Sequence, residues 1–321
     1  MPDEITHREA LAAISEADLV GLKALENGPG LRHLGAHLGA IGLTTAAILS
    51  TDTPLLLVPL LVLHGILLIF LFTPLHETIH GTAFRTAWLN DAVSHLLGFL
   101  ILLPPRWFRY FHLAHHRHTQ DPQNDPELSS PKPRSIGQYL WRLTGISYWT
   151  SEVRLIATAA AGHVSDPFVP PKGRPKVIIE CRAFLAGYLL LGLASVWLGT
   201  GLLIWLWVLP AILGQPFLRA YLMAEHTGLP LVSNMLSNSR TVFASWPVQW
   251  LAWNMPHHAA HHALPVVPFH RLPALTARIR QHLRATADGY PEAHRQIRGS
   301  FGAQSVGRGL TPDGGSNMSN E

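Results

Sequence analysis

The sequence predicts an all-α integral membrane fold with four transmembrane helices in two hairpins, an interfacial helix and a cytoplasmic helical cap. Three observations lead to this prediction. Apolar residues make up 48% of the 321 residues and charged residues only 14%, whereas soluble domains carry roughly 25% charged residues. Four apolar stretches approach the length of a bilayer crossing, and the basic residues all fall on one side of the arrangement that these stretches define.

The four apolar stretches form two closely spaced pairs. A helix needs about 20 predominantly apolar residues to cross the hydrocarbon core of a bilayer. Residues 51–54 (TDTP) interrupt the first pair and residues 199–201 (GTG) interrupt the second. Because both breaks are so short, each pair is expected to form a helical hairpin. The predicted spans are residues 34–50, 55–73, 183–198 and 202–221.

A fifth apolar run, residues 93–103, is too short to cross a bilayer. Polar residues precede it, and Pro104 and Pro105 follow it. We therefore interpret it as an interfacial or re-entrant segment.

The distribution of Lys and Arg tests this topology. Neither hairpin tip carries a basic residue, whereas the loop at 74–182 carries twelve of the 24 and the region from Arg219 onward carries nine. The other three precede the first span. Cytoplasmic loops carry an excess of Lys and Arg, so all of these regions are expected to be cytoplasmic.

The spans divide the chain into four parts. The predicted parts are a cytoplasmic N-terminal segment at 1–33, a membrane domain at 34–273 whose cap comprises 74–182 and 222–273, a C-terminal helical segment at 274–298, and a disordered tail at 299–321.

Three histidine clusters stand just beyond the ends of apolar segments. Their sequences are HETIH at 76–80, HLAHH at 112–116 and HAAHH at 258–262, and a further histidine, His226, ends the fourth span. Positions i, i+3 and i+4 share one face of a helix, so two histidines of each cluster can point at one centre. These pairs are His76 with His80, His112 with His115 or His116, and His258 with His261 or His262. Nine histidines are more than one metal ion can use, and imidazole suits iron, copper, zinc and nickel.

Other kinds of site are less compatible with the composition. The single cysteine, Cys181, excludes metal sites built from several thiolates. The net charge of +4 is modest, and no basic stripe interleaved with aromatic residues is present. Nucleic-acid binding is therefore not expected, and attraction to anionic lipid headgroups accounts for the charge.

Two alternatives from other classes also use these histidines. Residues 76–80 fit the HExxH pattern, in which Glu77 would be the general base of a membrane zinc protease, but this leaves the other two clusters unexplained. A metal transporter or store is a non-enzymatic alternative. Its histidines should lie within the spans, whereas these clusters lie beyond the ends.

The three clusters, in this order and topology, resemble those of the membrane fatty-acid desaturase and hydroxylase superfamily. The segments HHRHTQDPQNDPE, EHTG and NMPHHAAHHALPVVPFHRLP look like its bacterial branch, and the resemblance runs from about residue 34 to 273. It implies a cytoplasmic cap that holds two iron ions, in a multi-pass protein of the bacterial inner membrane. The ligands that it implies are His76, His80, His112, His115, His116, His258, His261 and His262, with His226 as an additional one.

The sequence departs from the family pattern at three positions. His257 and Ala260 stand where many relatives have Tyr and Glu, which puts the surroundings of the ligands in question rather than the ligands themselves. In one branch an Asn four residues before the additional histidine holds a metal-bound water. Here that position is Leu222, and Asn254 is a candidate to replace it.

Carboxylates commonly orient metal-bound imidazoles through their other ring nitrogen. Candidates to surround the ligands in this way are Glu77, Glu225, Asp121, Asp125 and Glu127, together with His118, His257 and Asn254.

The function that the resemblance implies is oxygen-dependent desaturation of a lipid acyl chain, with O₂ as co-substrate. Hydroxylation by the same kind of centre is the main alternative, because the clusters alone do not distinguish the two outcomes. No CxxC pair is present to carry electrons, so a separate ferredoxin-like or cytochrome donor is expected. Arg134, Lys172, Arg174 and Lys176 could dock an acidic donor.

Overall fold

The computed structural model describes residues 5–306, and these residues are predominantly helical. The only strands in this range are β1 (Thr241–Val242) and β2 (Thr286–Ala287), which pair in parallel. The helices are α1 (His7–Ala12), α2 (Glu16–Lys23), α3 (Gly28–Leu49), α4 (Pro54–Ile69), α5 (Phe72–His80), α6 (Ala87–Leu100), α7 (Pro105–His118), α8 (Ile136–Leu143), α9 (Ile146–Ala160), α10 (Arg174–Trp197), α11 (Leu209–His226), α12 (Met235–Asn238), α13 (Trp246–Leu251), α14 (His258–Ala263), α15 (Leu272–Ile279) and α16 (Tyr290–Val306). The predicted all-α class is confirmed.

Three helical segments are long and apolar enough to cross a membrane. They are Pro54–His80, which joins α4 and α5, then Arg174–Trp197, and Ile204–His226, in which a π-helical turn leads into α11. They correspond to the second, third and fourth predicted spans, with ends that differ by one or more residues. Large apolar side chains such as Leu55, Val196 and Trp197 are more than 80% exposed on them, as expected for surfaces that face lipid.

The first predicted span, 34–50, lies in α3, which is long enough to cross a membrane but less apolar than these three segments. Every stretch of 18 residues within Gly28–Leu49 includes Arg32, His33 and His37. The helix starts six residues earlier than predicted, so these polar residues belong to it. Buried His37 donates from Nε2 to the carbonyl of Leu67 at 2.8 Å, which ties α3 to α4.

Helices α4 and α11 make the most extensive contact in the fold. Two glycines allow their backbones to touch: a Cβ on Gly65 would lie 2.0 Å from the carbonyl oxygen of Pro210, and one on Gly214 would lie 2.1 Å from that of Gly65. Since α5 continues α4 and His226 ends α11, this close approach brings two of the histidine-bearing helix ends together.

Helices α6 and α7 meet at a bend of 103°. Leu102 has a positive φ of 59° there, and Pro105 begins α7. Glu180 of α10 secures the bend, because its carboxylate accepts from the Arg106 amide at 3.0 Å and lies 3.0 Å from His95 Nε2. The bend matches the predicted interfacial segment, and it turns the second histidine cluster back toward the first.

The C-terminal region packs against the end of α11. Buried Arg240 donates to the carbonyls of Ala224 and Thr227, and its amide donates to the carbonyl of Glu225 at 2.8 Å. Helix α16 runs across position 299, where the sequence predicts the start of a disordered tail. Residues 307–321 of that tail lie outside the described range.

Candidate metal centre

The nine predicted ligands converge on two adjacent groups of buried imidazoles. In the first group, one nitrogen from each of five histidines lies within 4.8 Å of the others. In the second group, one nitrogen from each of three histidines lies within 4.8 Å of the others. We assign His258 to this group as well, because its Nε2 lies 2.9 Å from His226 Nε2. The first group is His76, His80, His112, His116 and His261; the second is His115, His226, His258 and His262.

Local helical geometry explains how neighbours in sequence serve different groups. His112 and His116 are four residues apart on α7 and their Nε2 atoms are 2.8 Å apart in the first group. His115, one residue before His116, is rotated by about 100° around the helix and belongs to the second. Helix α14 divides its histidines similarly, with His261 in the first group and His262 in the second.

Oxygen atoms of the protein fix the outer nitrogens of the second group. Asp125 Oδ1 lies 2.9 Å from His115 Nδ1, and the carbonyl of Asn238 lies 3.0 Å from His226 Nδ1. The Thr119 hydroxyl donates to the carbonyl of His115, so it accepts from His262 Nδ1 at 3.1 Å. Each of these Nδ1 atoms therefore carries the proton, and each Nε2 is left with a free lone pair, as in the carboxylate–histidine–metal arrangement.

The inner nitrogens of the second group face one another at close range. His226 Nε2 lies 3.2 Å from His115 Nε2 and 2.9 Å from His258 Nε2. Two lone pairs at this distance repel each other unless a cation lies between them. The donor set of the second group therefore fits a metal ion.

The first group also brings inner nitrogens together, but its outer nitrogens have fewer partners. His116 Nε2 lies 2.8 Å from His112 Nε2 and 3.1 Å from His261 Nε2. Within the described part of the chain, the Nδ1 atoms of His76, His116 and His261 make no hydrogen bond. Unpartnered buried nitrogens are costly, and in the first group the helices alone orient the rings.

Burial keeps the imidazoles of α14 in the form that binds metal. Loss of hydration, reinforced by neighbouring imidazoles, holds the pKa of His258, His261 and His262 well below the ordinary value. They are thus neutral at pH 7, and metal-bound imidazole is neutral. His257 is not among the converging nitrogens, and burial lowers its pKa to about 4.

The candidates for orienting residues have different surroundings. Asp125 bonds to an outer nitrogen, as expected, and Glu225 lies 3.5 Å from His258 Nδ1. The carboxylate of Glu77 instead accepts from the Phe269 amide at 2.9 Å, and Asn254 donates to the Phe269 carbonyl at 3.2 Å. His118 and Asp121 belong to neither group. They lie 4.0 Å from each other on the surface.

Two contributors to the second group have no signature in the sequence. The Asn238 contribution is a backbone carbonyl, and that of Thr119 is a single hydroxyl four residues after His115. In the sequence HHRHTQDP the threonine stands three residues after the end of the second cluster, but no spacing rule singles out such a residue.

A cavity of about 1100 Å³ adjoins both groups. Its lining includes His76 and His112 of the first group and His115 and His258 of the second. Apolar walls come from Phe72, Leu103, Trp107, Phe108, Phe111 and Leu222.

The same cavity has a polar section. Arg219 of α11 lines it and lies 4.3 Å above the ring of Tyr148. Glu152 of α9 also lines it, and burial raises the pKa of this carboxyl to about 8, against the opposing effect of the Arg219 charge. Glu152 is therefore protonated at pH 7 and can donate a hydrogen bond. The cavity thus offers apolar and polar surfaces to an amphiphilic molecule.

Comparison with known proteins places the chain among enzymes of lipid metabolism. The family described as "Fatty acid desaturase" matches residues 53–294, which include all three histidine clusters. The chain is 28% identical over 229 residues to a chloroplastic omega-3 fatty acid desaturase of Glycine max, covering 63% of this chain and 49% of the relative. It is 24% identical over 254 residues to an sn-1 oleoyl-lipid 12-desaturase of Picosynechococcus, covering 74% and 72%.

A third relative is an acyl-lipid 8-desaturase of Rebecca salina, which is 24% identical over 248 residues that cover 68% of this chain and 54% of the relative. The chain spans about half the length of the plant and Rebecca relatives. Because the family match covers well over half of the 321 residues, the chain belongs to the fatty acid desaturase family.

Proposed function

We propose that this chain is an oxygen-dependent di-iron desaturase that introduces a double bond into a lipid acyl chain. The observation that carries this proposal is the convergence of nine imidazoles into two groups beside one cavity. Relatives that carry the names of an omega-3, a 12- and an 8-desaturase support the reaction type.

The two groups would each hold one iron ion. The first offers five imidazoles and the second four, and imidazole is a common ligand of iron. Bound iron, with O₂, would supply the oxidising power that removal of hydrogen from an unactivated methylene requires. The side chains of the protein would hold the metals, align the acyl chain and exclude water.

The acyl chain would occupy the cavity that adjoins both groups. Phe72, Phe108 and Phe111 provide apolar contact next to His76 and His112. The polar section near Arg219 and Glu152 suits the polar end of a lipid. Seven residues separate Arg219 from His226 on α11, which corresponds to about 10 Å along the helix. A lipid bound at Arg219 would thus present carbons well along its chain to the metals.

A zinc protease is less compatible with this site. Its general base would be Glu77, yet that carboxylate is fully buried and accepts a hydrogen bond from the backbone of Phe269. His76 and His80 share their group with three further histidines, and the protease hypothesis gives no role to the second group.

The membrane placement and the electron source complete the proposal. The basic regions would lie on the cytoplasmic side of a bacterial inner membrane, together with the site.

Electrons would come from a separate ferredoxin-like or cytochrome donor, and the candidate docking residues are Arg134, Lys172, Arg174 and Lys176. Reversing these four charges should lower turnover with the natural donor and leave turnover with a small chemical reductant unchanged.

Expression in a host followed by mass spectrometry of its lipids tests the proposed reaction. Desaturation predicts new lipids that have lost two hydrogen atoms relative to their precursors. Lipids that have gained one oxygen atom would instead identify a hydroxylase. A lipid profile identical to that of cells with an empty vector, despite metal-loaded protein in the membrane, would contradict both.

A further inference from the structure

The segment Asp125-Pro126-Glu127 contacts both sides of one imidazole ring. Asp125 Oδ1 lies 2.9 Å from His115 Nδ1, the outer nitrogen, and also accepts from the Glu127 amide at 2.9 Å. Glu127 Oε2 lies 3.3 Å from His115 Nε2, the inner nitrogen. The tight turn that begins at Pro126 therefore places one carboxylate behind the ring and the other in front of it.

The carboxylate in front of the ring meets a nitrogen that has no proton to offer. His115 Nδ1 donates to Asp125, so in the neutral ring Nε2 carries a lone pair. The same Nε2 lies 3.2 Å from His226 Nε2, which is also a lone pair because His226 Nδ1 donates to the Asn238 carbonyl. Three acceptors thus converge, and a metal cation among them would turn this repulsion into attraction.

We propose that Glu127 is a metal ligand of the second group, so that four imidazoles and one carboxylate hold that metal. This rests on the proposed function only in requiring that the second group bind a metal. Carboxylate oxygen and imidazole nitrogen both ligate iron, as in the two-histidine, one-carboxylate sites of other iron proteins. The first group remains an all-imidazole site, and the two metals are therefore inequivalent.

Lys132 orients the carboxylate without competing for the ligating oxygen. Its Nζ pairs with Glu127 Oε1, which leaves Oε2 directed at the histidines. Glu127 and His115 both line the cavity, so the carboxylate lies on the side from which the substrate approaches. Lys132 is a positioning residue in this arrangement.

The test is metal retention and ⁵⁷Fe Mössbauer spectroscopy of the purified full-length protein. We expect wild type to hold two irons per chain with two distinct quadrupole doublets. Glu127→Gln should lose the second iron to a chelator at least roughly tenfold faster and change one doublet only. Glu127→Asp, which keeps an oxygen ligand, should show intermediate retention.

Two control variants separate ligation from other roles of Glu127. Lys132→Gln removes the ion pair that orients the carboxylate but keeps the carboxylate itself, and should lose the second iron more slowly than Glu127→Gln. Glu26→Gln removes a glutamate that pairs with Arg271 on the surface, and should match wild type. Unchanged iron and unchanged spectra in both Glu127 variants would overturn the proposal, as would equal loss in Lys132→Gln. Wild-type protein without iron would instead overturn the proposed function.

Discussion

The two imidazole groups differ in how the protein supports them. In the second group, Asp125, the Asn238 carbonyl and Thr119 hold the outer nitrogens of three rings. In the first group, the Nδ1 atoms of His76, His116 and His261 have no hydrogen-bond partner in residues 5–306. Three of the four rings of the second group are thus held by oxygen atoms of the protein, whereas His258 Nδ1 makes no hydrogen bond among these residues. The shape of the first group depends on how α5, α7 and α14 pack, and the proposed metal would add to it.

The largest effect is expected when the less supported group loses a ligand. His261→Ala removes an imidazole whose Nε2 lies 3.1 Å from His116 Nε2, and no hydrogen-bond network is there to hold the remaining rings. We expect product formation to fall below detection in lipid mass spectrometry while the protein still inserts into the membrane. Wild-type product levels in this variant would remove His261 from the ligand set.

A large but partial effect is expected when the better supported group loses an outer partner. Asp125→Asn weakens the bond to His115 Nδ1, and loss of such partners typically costs 10–100-fold in metal affinity. Chelator competition should show one iron weakened by about that factor and the other unchanged. Asp121→Asn, on an exposed carboxylate of the same loop, is the matched control. Equal weakening of both irons would contradict the difference between the groups.

A smaller effect, shared by both groups, is expected from the contact between α4 and α11. Gly214→Ala would place a Cβ 2.1 Å from the Gly65 carbonyl oxygen, and overpacking of this kind costs about 1–3 kcal/mol of stability. We expect a lower melting temperature and faster loss of both irons in detergent. Gly192→Ala, where α10 leaves open space around the glycine, should melt like wild type. If the two variants melt alike, the helix contact does not hold the groups together.

The smallest effect is expected from moderate acidification of the metal-loaded protein. The pKa of His258, His261 and His262 lies well below its ordinary value because of burial, so iron content should stay constant as the pH falls from about 8 to about 6. In the metal-free protein, these three histidines take up protons below about pH 6.5 when the chain is unfolded, but only at lower pH when it is folded. Its melting temperature should therefore fall as the pH drops below that value.

Acid release of iron with a midpoint near the ordinary imidazole pKa would contradict this account of burial. So would a melting temperature of the metal-free protein that rises on acidification, since the folded state would then be the one that takes up protons.

Much of the site could be predicted from local sequence because helical spacing is a local property. Helical spacing shows that histidines within each of the three clusters can point at one centre, and the family resemblance implies the full set of nine, including His226. The division into two groups could not be predicted. It depends on how α5, α7, α11 and α14 are rotated against one another, and on backbone contacts such as Gly65 with Gly214.

The fold shows a similar division between local and distant information. Composition and apolar runs predict the all-α class and three of the spans. Helix limits depend on residues outside the apolar runs: α3 extends back over Arg32 and His33, and α5 continues α4 as far as His80. The Asn238 carbonyl that contacts His226 Nδ1 belongs to the backbone. Its position depends on the tertiary fold, so the residue types of that region do not predict the contact.

Metal analysis of the purified protein tests the central claim most directly. The iron and zinc content per chain would be measured for wild type after growth in medium that contains both metals. Two irons per chain, in two spectroscopically distinct environments, is the result that the two imidazole groups predict. Protein that holds no iron, or a single zinc ion, would contradict the account.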